Sequence, residues 1–334
     1  MAPQSKIMIT ITTIIFFVFL AIIATFIIVD LIKAKKNKKR HLRFNPKSSI
    51  SAYLMLLPAS ILAFFFVVLP ILYSLGYAFT DYRLLYPNDI QFNGFQNFVK
   101  IYHDIENKTE LYYAIINTVN FVIGVVPLQI GLALGLAIFC NRKKPGVGIF
   151  KVCFFAPVVI SLSVTAILWK EVLSPEPTGL LNSLLGIFGL GPFDYMGDPK
   201  TTMLWIVILS AWQGCGFQML IFLSALSNIR KDLYEAASLD GANSFQKFWY
   251  ITLPQLKPTF VYILVTVFIG ASRILVQPMM LIGEEIKALT ISYYMFLKAS
   301  KYFWVGESSA IALIMTVIMG IVTLIQRKLL EEKD

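Results

Sequence analysis

Apolar stretches at residues 7–29, 51–79, 111–140, 152–173, 202–227, 259–282 and 308–325 alternate with short polar segments along the chain. A helix needs about 20 apolar residues to cross a bilayer core, and each stretch is close to that or longer. Pro58, Pro70 and Pro157 fall inside these stretches, where membrane helices tolerate them better than soluble helices do. The pattern predicts an all-α integral membrane protein with seven spans. Two regions follow from it: residues 1–50, an N-terminal transmembrane helix with a basic linker, and residues 51–334, a six-span domain containing a polar loop at 228–258.

Charge sets the expected orientation. Lys33, Lys35, Lys36, Lys38, Lys39, Arg40, Arg43 and Lys47 follow the first stretch with no acid among them. Basic clusters stay on the cytoplasmic side, so the N-terminus is expected outside and the C-terminus inside. Arg142, Lys143 and Lys144, and later Arg327 and Lys328, fall on the same side. The basic linker is also suited to anionic lipid, which the same orientation allows. A cleaved signal peptide would carry its charges before the apolar run, where Lys6 stands alone.

Composition narrows the class. Of 334 residues, 57% are hydrophobic and 14% charged, and mean hydropathy is +0.72, whereas soluble domains are about 25% charged. The net charge of +10 is spent on membrane orientation, and no nucleic-acid partner is expected. Cys140, Cys153 and Cys215 lie in apolar runs without metal spacing and read as packing residues. No metal site is expected.

The longest polar insertion on the expected cytoplasmic side runs from Asp232 to Pro258. Leu233, Ala236, Ala237 and Asp240 recur at helical spacing and predict a short helix. Gly241 can leave that helix at positive φ. Asn243 with Gln246 three residues on is an N-cap pattern for a second helix, which Pro254 should end or turn. The result is a helix-turn-helix whose small residues allow a partner to approach. A hairpin that merely covers its own bundle would have the same spacing.

The residues add more. Glu235-Ala236-Ala237-x-x-Asp240-Gly241-Ala242, followed by Phe248, Ile251, Leu253 and Pro254, resembles the EAA loop of binding-protein-dependent ABC importer permeases, in the form of their carbohydrate branch. Leu57-Pro58, Pro70-Ile-Leu-Tyr-Ser, Phe92-x-Gly94-Phe95-x-Asn97-Phe98, Asn117-Thr118, Phe155-Ala-Pro157 and Trp212-x-Gly214-x-Gly216-Phe217 are similar to the same family. The likeness extends from about Ser51 to the C-terminus. Where many members carry Thr-x-Gly-Gly-Pro, this chain has Ile282-Gly283-Glu284-Glu285-Ile286. The resemblance implies a core of six helices plus the extra first one, a second homologous permease, two ATPases and an extracellular solute-binding protein. It also implies that Glu235, Ala236, Ala237, Asp240, Gly241, Leu253 and Pro254 couple the chain to an ATPase, and that a sugar is the solute.

No nucleotide-binding loop, nucleophile elbow or paired acids occur, so the chain is not expected to be an enzyme or to bind a cofactor. ATP and Mg would belong to the partner ATPase. Polar side chains at mid-bilayer are costly and usually face the bundle interior, which makes Gln129, Ser210, Gln213, Gln218, Arg273 and Gln277 candidates for a solute path. The family's path helix adds Gly214 and Phe217, a small residue and a stacking face suited to a sugar. Arg273 reads either as a structural arginine held by helix carbonyls or as a ligand for an acidic sugar or glycerol phosphate. A secondary transporter would need an intramembrane carboxylate, and no span holds one centrally. A membrane-anchored assembly protein would need a sizeable soluble domain, which the sequence lacks.

Overall fold

The computed structural model describes residues 46–141 and 145–330, together with Thr13, Thr25 and Val29. All but those three residues of the expected first span at 7–29, the basic linker up to Arg43, and Arg142, Lys143 and Lys144 therefore lie outside the described residues. Among the described residues there are helices and turns and no β-strand, with isolated bridges at Thr80–Phe92 and Arg83–Trp304. Among the described residues, four helices are long and apolar enough to cross a membrane, and two bent pairs raise the number to six if each pair is one span.

The described residues fall into two compact units. The first comprises 46–98 with 303–313. Its helix α1 (Pro46–Ala63) passes through a π turn (Phe64–Val68) into α2 (Leu69–Tyr77). Pro70, in the first turn of α2, has no N–H to return to the preceding turn, and the extra residue of the π turn accommodates it. The rings of Phe79, Phe95 and Phe98 cluster beyond α2 with centroids 5.3–5.7 Å apart. Asn97 fastens this corner, its Nδ2 donating to Ala78 O at 3.0 Å and Thr80 O at 2.7 Å. The Phe92-x-Gly94-Phe95-x-Asn97-Phe98 motif thus has a structural task.

The second unit comprises 99–302 with 314–330. Two long helices dominate it, α4 (Glu110–Cys140) and α8 (Pro199–Asn228), after the shorter α3 (Gln96–Glu106), which leads from the first unit. Leu111, Ala114, Thr118, Phe121, Val125, Gln129, Ala133 and Ala137 recur at three- and four-residue spacing as the buried stripe of α4. Lipid is as apolar as these side chains, so the helices are held by close packing and interhelical hydrogen bonds. A Cβ on Gly216 would run into Phe154 O, which is why α5 (Val147–Val159) can lie against α8. Gly131 and Gly135 meet nothing within 4 Å.

The fourth span is not a single rod. Helix α5 passes through Pro157 and stops at Val159, and α6 (Leu162–Val172) leaves at 102° to it. Ile160 and Ser161 take ψ of 137° and 136°, so no helical bond can form across them. The sixth span also ends early: α12 (Lys257–Ser272) stops ten residues before Ile282, and the short α13 (Val276–Leu281) follows the break at Arg273–Leu275. Arg273 is accordingly exposed at a helix end rather than buried within a span.

Between these, α7 (Leu180–Gly186) sits in a loop organised by one side chain. Asn182 is 2% exposed. Its Nδ2 reaches Ser174 O, Pro175 O and Phe193 O at 3.0–3.2 Å, and its Oδ1 accepts from Phe193 N and the Tyr195 hydroxyl at 2.9 and 2.7 Å. Burial pushes the Tyr195 hydroxyl up, so it remains a donor at any ordinary pH. The chain then continues through α9 (Lys231–Leu239), α10 (Ser244–Lys247), a second π turn (Phe248–Thr252), α11 (Leu253–Gln255), α14 (Ile291–Ser300) and α15 (Val305–Leu330).

Candidate functional site

Two features of the second unit carry chemistry. The first is the hairpin of α9, α10 and the π turn. Helix α9 ends in a pair of backbone bonds, Gly241 N to Ser238 O at 3.2 Å and Ala242 N to Ala237 O at 2.9 Å, with Gly241 at φ +79°. This is a Schellman ending, in which the left-handed residue lets the chain turn back and cover the last carbonyls. Asn243 then caps α10: its Oδ1 accepts from Gln246 N at 2.9 Å while Gln246 Oε1 accepts from Asn243 N at 2.8 Å. The two arms are joined by Tyr234 Oη and Thr252 Oγ1 at 2.8 Å and by Lys247 Nζ donating to Ser238 Oγ at 2.7 Å. Sequence reading missed Tyr234 and Thr252, whose only signal is the placement of two hydroxyls eighteen residues apart.

The second arm ends at Gln255, one residue after Pro254, and the chain bends by 65° at Leu256, with Pro258 in the first turn of α12. Leu256 is buried beside Leu226 and Phe222, so the two roots of the hairpin share one core cluster. Its tip is left bare: Leu239 and Tyr250 are 90% and 80% exposed, and Glu235, Ala236, Asp240 and Gly241 are exposed with them.

The second feature is a cavity of about 560 Å³ lined by α4, α8, α12 and both helix breaks. Ser210, Gln213, Gly214, Gln218 and Gln129 face it from the long helices, Thr266 from α12, and Arg273 and Gln277 from the second break. At 1.5 Å per residue, Gln129 lies roughly 17 Å from the hairpin end of α4, Gln213 roughly 22 Å along α8, and Arg273 roughly 24 Å along α12. All three depths fall inside a hydrocarbon core about 30 Å thick.

The breaks and the cavity explain each other. Unwound backbone at membrane depth survives where protein or water supplies its hydrogen bonds. Gln213, 5% exposed, donates Nε2 to Ile160 O and to Thr165 Oγ1, both at 3.2 Å, and so occupies the carbonyl freed by the first break. Its Oε1 and the hydroxyl of Ser210 are buried without a partner. Gly214 makes room for the neighbouring amide, since a Cβ there would strike Gln129 Nε2. That amide donates to Gln218 Oε1 at 3.0 Å and closes the hairpin side of the cavity.

Of the eight path residues read from sequence, seven are brought together. Phe217 is not among the lining residues and is 51% exposed. Phe121 supplies the aromatic surface instead. Thr165, Thr266 and Phe121 were not anticipated, because single hydroxyls and one more phenylalanine among 27 carry little signal in an apolar run.

Residues 108–333 match the model of the family described as binding-protein-dependent transport system inner membrane component. The chain belongs to this family. Among curated relatives, the permease is 31% identical over 300 residues to the arabinooligosaccharides transport system permease protein AraP of Bacillus subtilis, covering 89% of this chain and 93% of that one. It is 30% identical to the trehalose/maltose transport system permease protein MalF of Thermococcus litoralis, covering 83% and 92%. The lactose transport system permease protein LacF of Rhizobium radiobacter shares 33% identity over 67% of this chain and 74% of its own length. In fold, the permease is similar to a chain of a bacterial ABC transporter involved in the import of the acidic polysaccharide alginate, with TM-score 0.73 and 23% identity over 85% of this chain and 96% of that one.

Proposed function

We propose that this chain is one of two permease subunits of an ATP-driven importer in the bacterial cytoplasmic membrane, and that it forms part of the path for a sugar or oligosaccharide. The second, homologous permease completes the path, an extracellular solute-binding protein delivers the solute, and two ATPases hydrolyse ATP with Mg at the hairpin. The observation that carries this reading is the pair of unsatisfied acceptors, Gln213 Oε1 and Ser210 Oγ, buried at mid-membrane depth in a cavity rimmed by further amides. Buried polar groups are rarely left unpaired, and a hydroxylated solute offers donors to both. The names of the curated relatives, permeases for arabinooligosaccharides, trehalose/maltose and lactose, support a sugar.

The hairpin is the proposed coupling element. Glu235 is exposed, and we assign it to a basic side chain of the ATPase, with the apolar tip at Leu239 and Tyr250 docking beside it. The test is purification of the tagged full-length chain from its native membrane in mild detergent. An ATPase should accompany it, and ATP-dependent uptake should return when the complex is placed in vesicles with its solute-binding protein. Recovery of the chain with no ATPase would remove this reading.

Orientation has its own test. A cysteine at Leu239, in the hairpin, should react in intact cells only with membrane-permeant maleimide. One at Ile187, 76% exposed in the loop after α7, should react with impermeant reagent from outside. Asn182, in the same loop, is unsuitable because its side chain holds that loop together. Reversal of the two labelling patterns would invert the assigned topology.

A further inference from the structure

The cavity wall holds one ionisable side chain, Arg273, among amides, hydroxyls and hydrocarbon. It occupies the capping position where α12 ends, with φ −103° and ψ 20°, and its own N–H is bonded to Gly270 O at 3.2 Å. The main chain is therefore settled locally. The guanidinium makes no ion pair or hydrogen bond among the described residues, and no aspartate or glutamate lines the cavity to neutralise it.

An arginine stays charged at any physiological pH and carries a planar fork of N–H donors. A solute entering the cavity displaces the water around that fork and must replace what it removes. A neutral sugar can offer single hydroxyl acceptors, which leave the positive charge uncompensated. A carboxylate or phosphate accepts two parallel N–H bonds from the fork and cancels the charge as well. Gln213, Ser210 and Gln277, around the same cavity, remain for the hydroxyls. We infer that the solute is an anionic sugar whose carboxylate or phosphate ester is held by Arg273 while the amides take its hydroxyls. The inference rests on the sugar-permease reading and narrows it.

The test uses cells in which the full-length chain, its Arg273→Gln variant or its Arg273→Lys variant replaces the native copy. Each is given radiolabelled trigalacturonate, glucose 6-phosphate or neutral maltotriose. The expected result is uptake of one anionic probe in preference to maltotriose, lowered about tenfold or more by Arg273→Gln, as for loss of a charged hydrogen bond. Arg273→Lys should keep an intermediate rate, because it restores the charge without the fork. Which anion is taken up distinguishes a uronate from a phosphate ester. Uptake of maltotriose alone by the unmodified chain would overturn the inference and leave the sugar-permease reading standing. Equal losses on all probes with less chain in the membrane would make Arg273 a structural residue, which also overturns it. No uptake of any sugar, charged or neutral, by a complex that hydrolyses ATP would remove the sugar-permease reading and the inference together.

Discussion

Gly241→Val should leave the permease inserted in the membrane and abolish solute-stimulated ATP hydrolysis and uptake. Gly241 sits at φ +79°, and a Cβ added there would meet nothing within 4 Å. The penalty is therefore backbone strain alone, about 1–2 kcal/mol for an ordinary L-residue and more for a β-branched one. The variant escapes the strain by unwinding the Schellman ending, which frees the carbonyls of Ala237 and Ser238 and swings Asn243 out of line with Gln246. The tip carrying Leu239 and Glu235 then loses its fixed shape. Gly241→Asn is the control, because asparagine tolerates the left-handed region, and it should retain most activity. Normal uptake by the valine variant would show that the turn does not transmit the ATPase stroke.

Gln213→Ala should cut uptake about tenfold while the complex still assembles with its ATPase. The substitution removes one acceptor that the proposed solute uses and leaves Ile160 O without its donor, a loss of about 1–3 kcal/mol for an unsatisfied buried group. Phe217→Ala, one helical turn away, should change uptake little, because that ring lies outside the cavity lining and is half exposed. Binding of sugar to the separate solute-binding protein should be unaffected by either change. Uptake rates measured beside that binding decide the matter. A large effect of Phe217→Ala with none from Gln213→Ala would place the path on the opposite face of α8.

The hairpin was the most legible part of the molecule because its determinants are local. Gly241, Asn243 and Gln246 act over three or four residues, and spacing alone shows them. The long helices were legible for the same reason, since hydropathy is a property of each segment. The break after α12 was read as continuous span, and the interruption of the fourth stretch was expected a few residues early. Proline was the expected interruption at Pro157, yet α5 passes through it and bends after Val159, where Gln213 and Thr165 on other elements receive the chain. A partner that arrives from 53 residues away, as Gln213 does for Ile160, leaves no mark on the segment it stabilises. Phe217 falls outside the cavity lining through register: it follows Gln213 by four residues, yet the lining stripe of α8 drifts toward Gln218.

The lining of the cavity bears on where the energy for uptake enters. Its polar members are amides, hydroxyls and one guanidinium, and none of these gains or loses a proton between pH 5 and 8. The Gln129–Gln218 contact at its hairpin side can part and re-form with no net charge moving across the membrane. A proton gradient therefore has no handle on these groups, whereas a membrane voltage acts only through the charge of Arg273 and of an anionic solute beside it. Under the proposed coupling, the work arrives as mechanical displacement, from the hairpin through Leu226 and Leu256 into α8 and α12, the two helices rooted in that shared cluster.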